Sequence, residues 1–167
     1  MRLISSDGAL VELRPVGYQF SRPGSIGDAE AKNTTGSYAD WDANWLLIGG
    51  DIRTSDGRSW RFNDPCLTTW EAERLAMWLH AAASDDEITG LEVMFTEPNL
   101  SFILDGRDGE RVRIRVCFSQ ESLPDWMPRD FPGWQAKEYF LPLDISCSEL
   151  AEAARSWDLD RRRFPAR

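Results

Sequence analysis

Residues 58–79 pass, with no loop between, from the alternation of a strand to the periodicity of a capped helix, and few folds accommodate that switch. Trp60 and Phe62 fall on one side of an extended chain and Arg61 and Asn63 on the other, the period of a pleated strand with one buried face. The alternation breaks at Pro65, which has no N–H to give to a ladder. Thr68 and, three residues later, Glu71 make the pairing of a capping box, in which each side chain satisfies the other's backbone N–H. Ala72, Leu75, Ala76, Leu79 and Ala82 then recur at helical spacing, with Glu71, Glu73 and Arg74 assigned to the opposite side. The pattern predicts a helix over about residues 69–83 whose single apolar stripe faces a sheet, hence an α+β fold.

The end of the chain reads in the same way. Residues 139–145 suit a strand, Ser146 and Glu149 form a second capping box, and Leu150, Ala153, Ala154 and Trp157 repeat at helical spacing. Earlier strands are expected over 10–20, with Pro15 at an edge or a bulge, and over 44–54, turned by residues 55–57 into the Trp60 strand. Three more are expected over 91–95, 100–104 and 111–118, separated by turn formers at 96–99 and 105–109. Within each run of strands no helix intervenes, so the pairing should be antiparallel. The expected fold is α+β, a mostly antiparallel sheet of about seven to eight strands, open or barrel-like, with two helices packed on it. The residues show no internal repeat. One domain over 1–167 is expected, with surface loops near 21–39 and 119–136, where Pro, Gly and polar residues collect.

Eight Trp and eight Phe supply large buried areas to a chain that is 42% hydrophobic, which excludes disorder of the whole. No apolar run approaches the ~20 residues that span a bilayer, and the first residues lack the apolar core of a signal peptide, so a cytoplasmic location is expected. Cys66, Cys117 and Cys147 are odd in number and contain no CxxC pair, the pattern of reduced structural thiols rather than a disulfide framework or a zinc site. The net charge is −9; residues 155–167 carry five Arg against Asp158 and Asp160, a balance of +3 that leaves −12 on the rest. Such a surface repels phosphate backbones and anionic lipid and suits a basic protein partner.

Catalytic signatures are sparse. His80 is the only histidine, which rules out a multi-histidine metal site, and there is no G-x-S-x-G elbow or P-loop. Asp40 and Asp42 around Trp41, with Glu97 in a turn, are the one set of carboxylates that would suit a ligand-binding or glycosidase-like hydrolytic pocket. A second meaning fits the same residues. Asp40, Trp41 and Asp42, with Asp125, Trp126, Asp130 and Trp134, combine aromatic anchors and negative charge on non-repetitive segments, the composition of protein interfaces. These seven residues are the expected partner-binding set, and no catalytic residue, cofactor or metal is expected.

Several segments together resemble a family of small bacterial proteins named after the WapI immunity protein. They are residues 11–20, 42–46, the run Trp60-Arg-Phe-Asn-Asp-Pro-Cys-Leu-Thr-Thr-Trp-Glu71, residues 95–100 and the closing helix. The resemblance implies a cytoplasmic protein that neutralises the toxic domain of a contact-dependent toxin, in the best-known case a nuclease acting on tRNA. It implies no catalytic residues. An acidic domain that covers a basic RNA-binding surface by imitating phosphate charge agrees with the −9 charge.

Overall fold

The computed structural model describes residues 1–20, 42–84, 90–127 and 137–167. Its elements are β1 (Arg2–Ile4), β2 (Leu10–Tyr18), β3 (Trp45–Arg53), β4 (Ser59–Thr68), α1 (Thr69–Ala83), β5 (Glu92–Met94), β6 (Leu100–Asp108), β7 (Arg111–Ser119), β8 (Glu138–Ser146) and α2 (Cys147–Arg161). Short 3-10 turns occupy Asp42–Asn44 and Gln120–Ser122. The fold is α+β, with all neighbouring strands antiparallel. The strands divide into two sheets of four, ordered β1-β2-β3-β4 and β5-β6-β7-β8, which do not close into a barrel. The expected loop at 21–39 and the part of the other at 128–136 lie outside the described residues.

A repeat invisible in the residues is plain in the elements. A strand of 3 residues, two of 9, one of 10 and a helix of 15 are followed by a strand of 3, three of 9 and a helix of 15. Each helix starts from the last residue of its preceding strand. Thr68 caps α1 and Ser146 caps α2, with Glu71 and Glu149 completing the two boxes. The helices pack on each other and straddle the sheets, α1 over β4 and β5, α2 over β1, β2, β7 and β8. One cluster of buried side chains from both sheets and both helices fills the space between.

Two expectations shift for physical reasons. β4 does not stop at Pro65 but runs through it to Thr68, with a register shift that leaves Cys66 as the extra residue. It can, because β4 is an edge strand and a bulge there tolerates a missing donor. Pro15, by contrast, lies at a bulge as the sequence suggests: the register of β2 on β3 shifts between Pro15 and Gly17, and because Leu13 exchanges backbone bonds with Met1, Pro15 points its nitrogen to the side that β1 has already vacated. β6 continues past residue 104 to Asp108, since Asp105 bulges out and Gly106 takes a φ of 152° that other residues rarely adopt. The turn is therefore confined to Gly109 and its neighbours.

Glu71 is a further correction. It was assigned to the exposed side of α1, yet the residue is only 8% exposed. Its Oε2 accepts from Thr68 N–H at 2.9 Å, and its Oε1 accepts from Thr96 N–H at 2.7 Å and Thr96 Oγ at 2.8 Å. One carboxylate thus caps α1 and holds the turn between β5 and β6 against it.

Candidate partner-binding surface

Four carboxylates meet where the edge of the first sheet faces the second. Asp64 comes from β4, Glu97 from the β5–β6 turn, Glu121 from the 3-10 turn after β7, and Asp42 from the 3-10 turn before β3. With Gln19, Phe20, Trp45, Pro65 and Asn99 they line a groove of about 440 Å³. None of the four forms an ion pair with Arg or Lys among the described residues.

Asn99 organises the groove. Its side chain is buried at 2% exposure, and its Nδ2 donates to Asp64 Oδ2 at 2.8 Å and to Glu121 Oε2 at 3.1 Å. Its carbonyl accepts from Ser119 N–H at 3.0 Å and from the Ser122 hydroxyl, which anchors the 3-10 turn carrying Glu121. Gln120 in that turn sits at φ 53°, a conformation costly for a residue with a side chain, so the surroundings must hold it there. Trp60 Nε1 helps by donating to Ser122 O at 2.9 Å. Partial burial pushes the Asp64 carboxyl above the ordinary carboxylate range, the nearby charges of Glu121 and Glu97 push it further, and the Asn99 amide opposes them. The groove is a concentration of negative charge that the protein itself does not neutralise.

The structure separates the residues that the sequence had grouped. Asp42 lines the acidic groove. Asp125 lines a different depression of about 770 Å³ on the outer face of the first sheet, among Arg14, Arg53 and Arg61 as well as Glu12 and Asp51. There Asp51 pairs with Arg14 at 3.4 Å and with Arg61, so the local charge is mixed. Trp126 stands edge-on to Trp60 at 5.3 Å and to Tyr139 at 6.3 Å, under the Arg58 guanidinium at 4.8 Å, and keeps 37% of its surface exposed. Asp40, Trp41, Asp130 and Trp134 lie outside the described residues. Asp64, Asn99 and Glu121 do not stand out in the sequence as groove residues, because only the meeting of the two sheets brings them to Asp42 and Glu97.

Two of the three thiols are shielded from solvent. Cys66 and Cys117 are buried, and burial pushes both thiols up, away from the thiolate form. His80 is exposed on the last turns of α1. Among the described residues no three His, Cys, Asp or Glu side chains are arranged to hold a metal ion, and no helix is long and apolar enough to cross a membrane.

A model of the immunity protein WapI-like family matches residues 2–165. The chain belongs to that family. No curated protein and no solved structure matches it. Four of the five segments that carry the resemblance meet at the groove: Gln19 and Phe20 from the first, Asp42 and Trp45 from the second, Asp64 and Pro65 from the third, Glu97 and Asn99 from the fourth. The family is described as one of immunity proteins.

Proposed function

We propose that the protein is a non-catalytic immunity protein that binds and neutralises a cognate toxin domain, a nuclease with a basic surface, through the acidic groove. The meeting of the family-like segments, which supply three of the groove's four carboxylates without an ion-pair partner, supports this reading. A nuclease needs cations to hold a phosphate backbone, and an acidic surface occupies those cations stoichiometrically. Opposite fields also steer the two proteins together, with rates that fall as salt rises. Asp42, Asp64, Glu97 and Glu121 form the centre of the interface, and Asp125 and the exposed edge of Trp126 its outer part; Asp40, Trp41, Asp130 and Trp134 remain candidate contacts on sequence grounds.

The test begins with recovery of the toxin domain from the native strain, using this protein as bait at low salt. Replacing the four groove carboxylates by Asn or Gln should weaken binding at least 100-fold and flatten its salt dependence. Trp126→Ala examines the outer part independently. Unchanged affinity in the four-fold variant would sink the proposal.

One observation favours the rival of a small-ligand or hydrolytic groove: Trp45 lines the same groove as Asp64, a carboxyl held above its usual range. That reading expects a neutral oligosaccharide to raise the melting temperature, with the gain lost in Trp45→Ala.

A further inference from the structure

Beside the acidic groove lies a second site that the chain fills with its own residues. After α2, the segment from Phe164 to Arg167 returns to the end of β2 and the start of β3. Asn44, which has no exposed surface, holds Arg167 by its main chain: Oδ1 accepts the Arg167 N–H at 2.9 Å, and Nδ2 donates to the Arg167 main-chain oxygen at 3.1 Å. The same Oδ1 accepts from Thr69 Oγ at 3.1 Å at the start of α1, which fixes the orientation of the amide. The Tyr18 hydroxyl donates to Pro165 O, and its ring meets Phe164 edge-on at 5.6 Å. The Arg167 guanidinium lies over the Tyr18 ring, 3.2 Å from its centre, and Nη1 donates to Phe20 O at 3.4 Å.

These contacts read features that many peptides share. The amide of Asn44 recognises main chain, and the Tyr18 face with the Phe20 carbonyl recognises a guanidinium. Pro165 and Ala166 are exposed, and the Arg167 guanidinium has no carboxylate partner among the described residues. Phe20 is shared, since it also walls the groove that holds the four unpaired carboxylates. An arginine-bearing segment entering from a partner would gain those carboxylates, which the resident segment leaves unused.

We propose that Asn44, Tyr18 and the Phe20 carbonyl form a recognition site for an extended, arginine-bearing peptide, and that residues 164–167 are a resident stand-in which the toxin's basic segment displaces. This rests on the toxin-binding reading and names the part of the toxin that the surface fits. The exchange is feasible because a chain segment beyond the last helix opens at small cost. It is selective because the resident segment competes at an effective concentration on the order of millimolar, so only a ligand that adds contacts wins.

The test needs no toxin. The tetrapeptide Phe-Pro-Ala-Arg is titrated into the full-length protein and into full-length Arg167→Ala, with NMR following the Asn44 side-chain amide and Tyr18. The variant should bind at least tenfold more tightly than the unmodified protein, with shifts at both residues, and Phe-Pro-Ala-Gln should bind neither. Equal affinities, no binding to the variant, or shifts confined to other residues would overturn the proposal. Hydrogen exchange in the unmodified protein gives a second reading that no variant can confuse. The Arg167 amide should exchange far faster than the amides of α2, and protection equal to that of α2 would exclude displacement. Failure of the peptide with the carboxylate variants still losing the toxin would reject the clamp alone; peptide binding without toxin binding would reject the function alone.

Discussion

Gly50 and Asp64 show how single residues bear opposite relations to stability. A Cβ on Gly50 would stand 2.2 to 2.7 Å from ring atoms of Phe62, its cross-strand neighbour, which itself packs against Phe118 at 6.2 Å. Gly50→Ala gains something by stiffening the unfolded chain, but an overpacked core costs roughly 1–3 kcal/mol, so the clash wins. Thermal melting should fall by about 2–4 °C per kcal/mol lost, and Phe62→Leu in the same chain should make the combined cost smaller than the sum. Asp64 behaves in the other sense. Its folded carboxyl titrates above the unfolded value of 3.8, so the folded state binds more protons between the two, and stability declines as pH rises through that window. In Asp64→Asn the new amide oxygen still accepts from Asn99, while the repulsion from Glu121 and Glu97 is gone. We expect the variant to melt higher than the parent at neutral pH, the gap closing as pH falls below 3.8, while toxin affinity drops. A variant that melts lower at neutral pH would show that Asp64 is held for structure.

At the scale of elements, the two capping boxes share a pattern and differ in consequence. Glu71 is buried and ties α1 to Thr96, whereas Glu149 bonds only Ser146 at the exposed start of α2. Glu71→Ala should cost about 3 kcal/mol by denaturant titration, because it removes a cap and strands buried donors, and Glu149→Ala should cost much less. The Ser146 bonds hold the Glu149 carboxyl below the ordinary value of 4.5, so that cap contributes fully above this pH and is lost as pH falls through the lowered one. Both boxes were legible in the sequence, since a cap is a matter of three or four consecutive residues. The antiparallel strands were legible too, from alternation and turn formers. What escaped was decided by distant partners. β4 runs through Pro65 because no strand among the described residues lies beyond it, and Glu71 turns inward because Thr96, 25 residues on, supplies two donors. The site followed the same rule: Asp42 and Glu97 stood out as acids near aromatics and turns, but Asp64, Asn99 and Glu121 belong together only once two sheets meet.

Across the whole molecule, two units of four strands and a helix are tied together by bonds that belong to neither alone. Trp157 of α2, with no exposed surface, donates from Nε1 to Ala72 O of α1 at 2.8 Å. Ser6 N–H donates to Asp144 O at 2.9 Å on one side, and Asn99 reaches Asp64 on the other. The helices cover each other's apolar stripes, so losing one unit would expose the core of the second to water. Unfolding in guanidinium should therefore be one transition, with tryptophan fluorescence and far-ultraviolet circular dichroism superimposed. Trp157→Phe, which deletes the bond between helices and part of the ring, should lower the single midpoint by an amount worth about 1–3 kcal/mol without splitting it. A plateau between two transitions would mean that the units are separately stable. Cooperativity matters for binding as well. The groove takes Asp64 and Asp42 from the first unit and Glu97 and Glu121 from the second, so its charge is assembled only in the intact fold, where the Asn99 bonds to Asp64 and Glu121 hold part of that charge in place and reduce the ordering that binding would require.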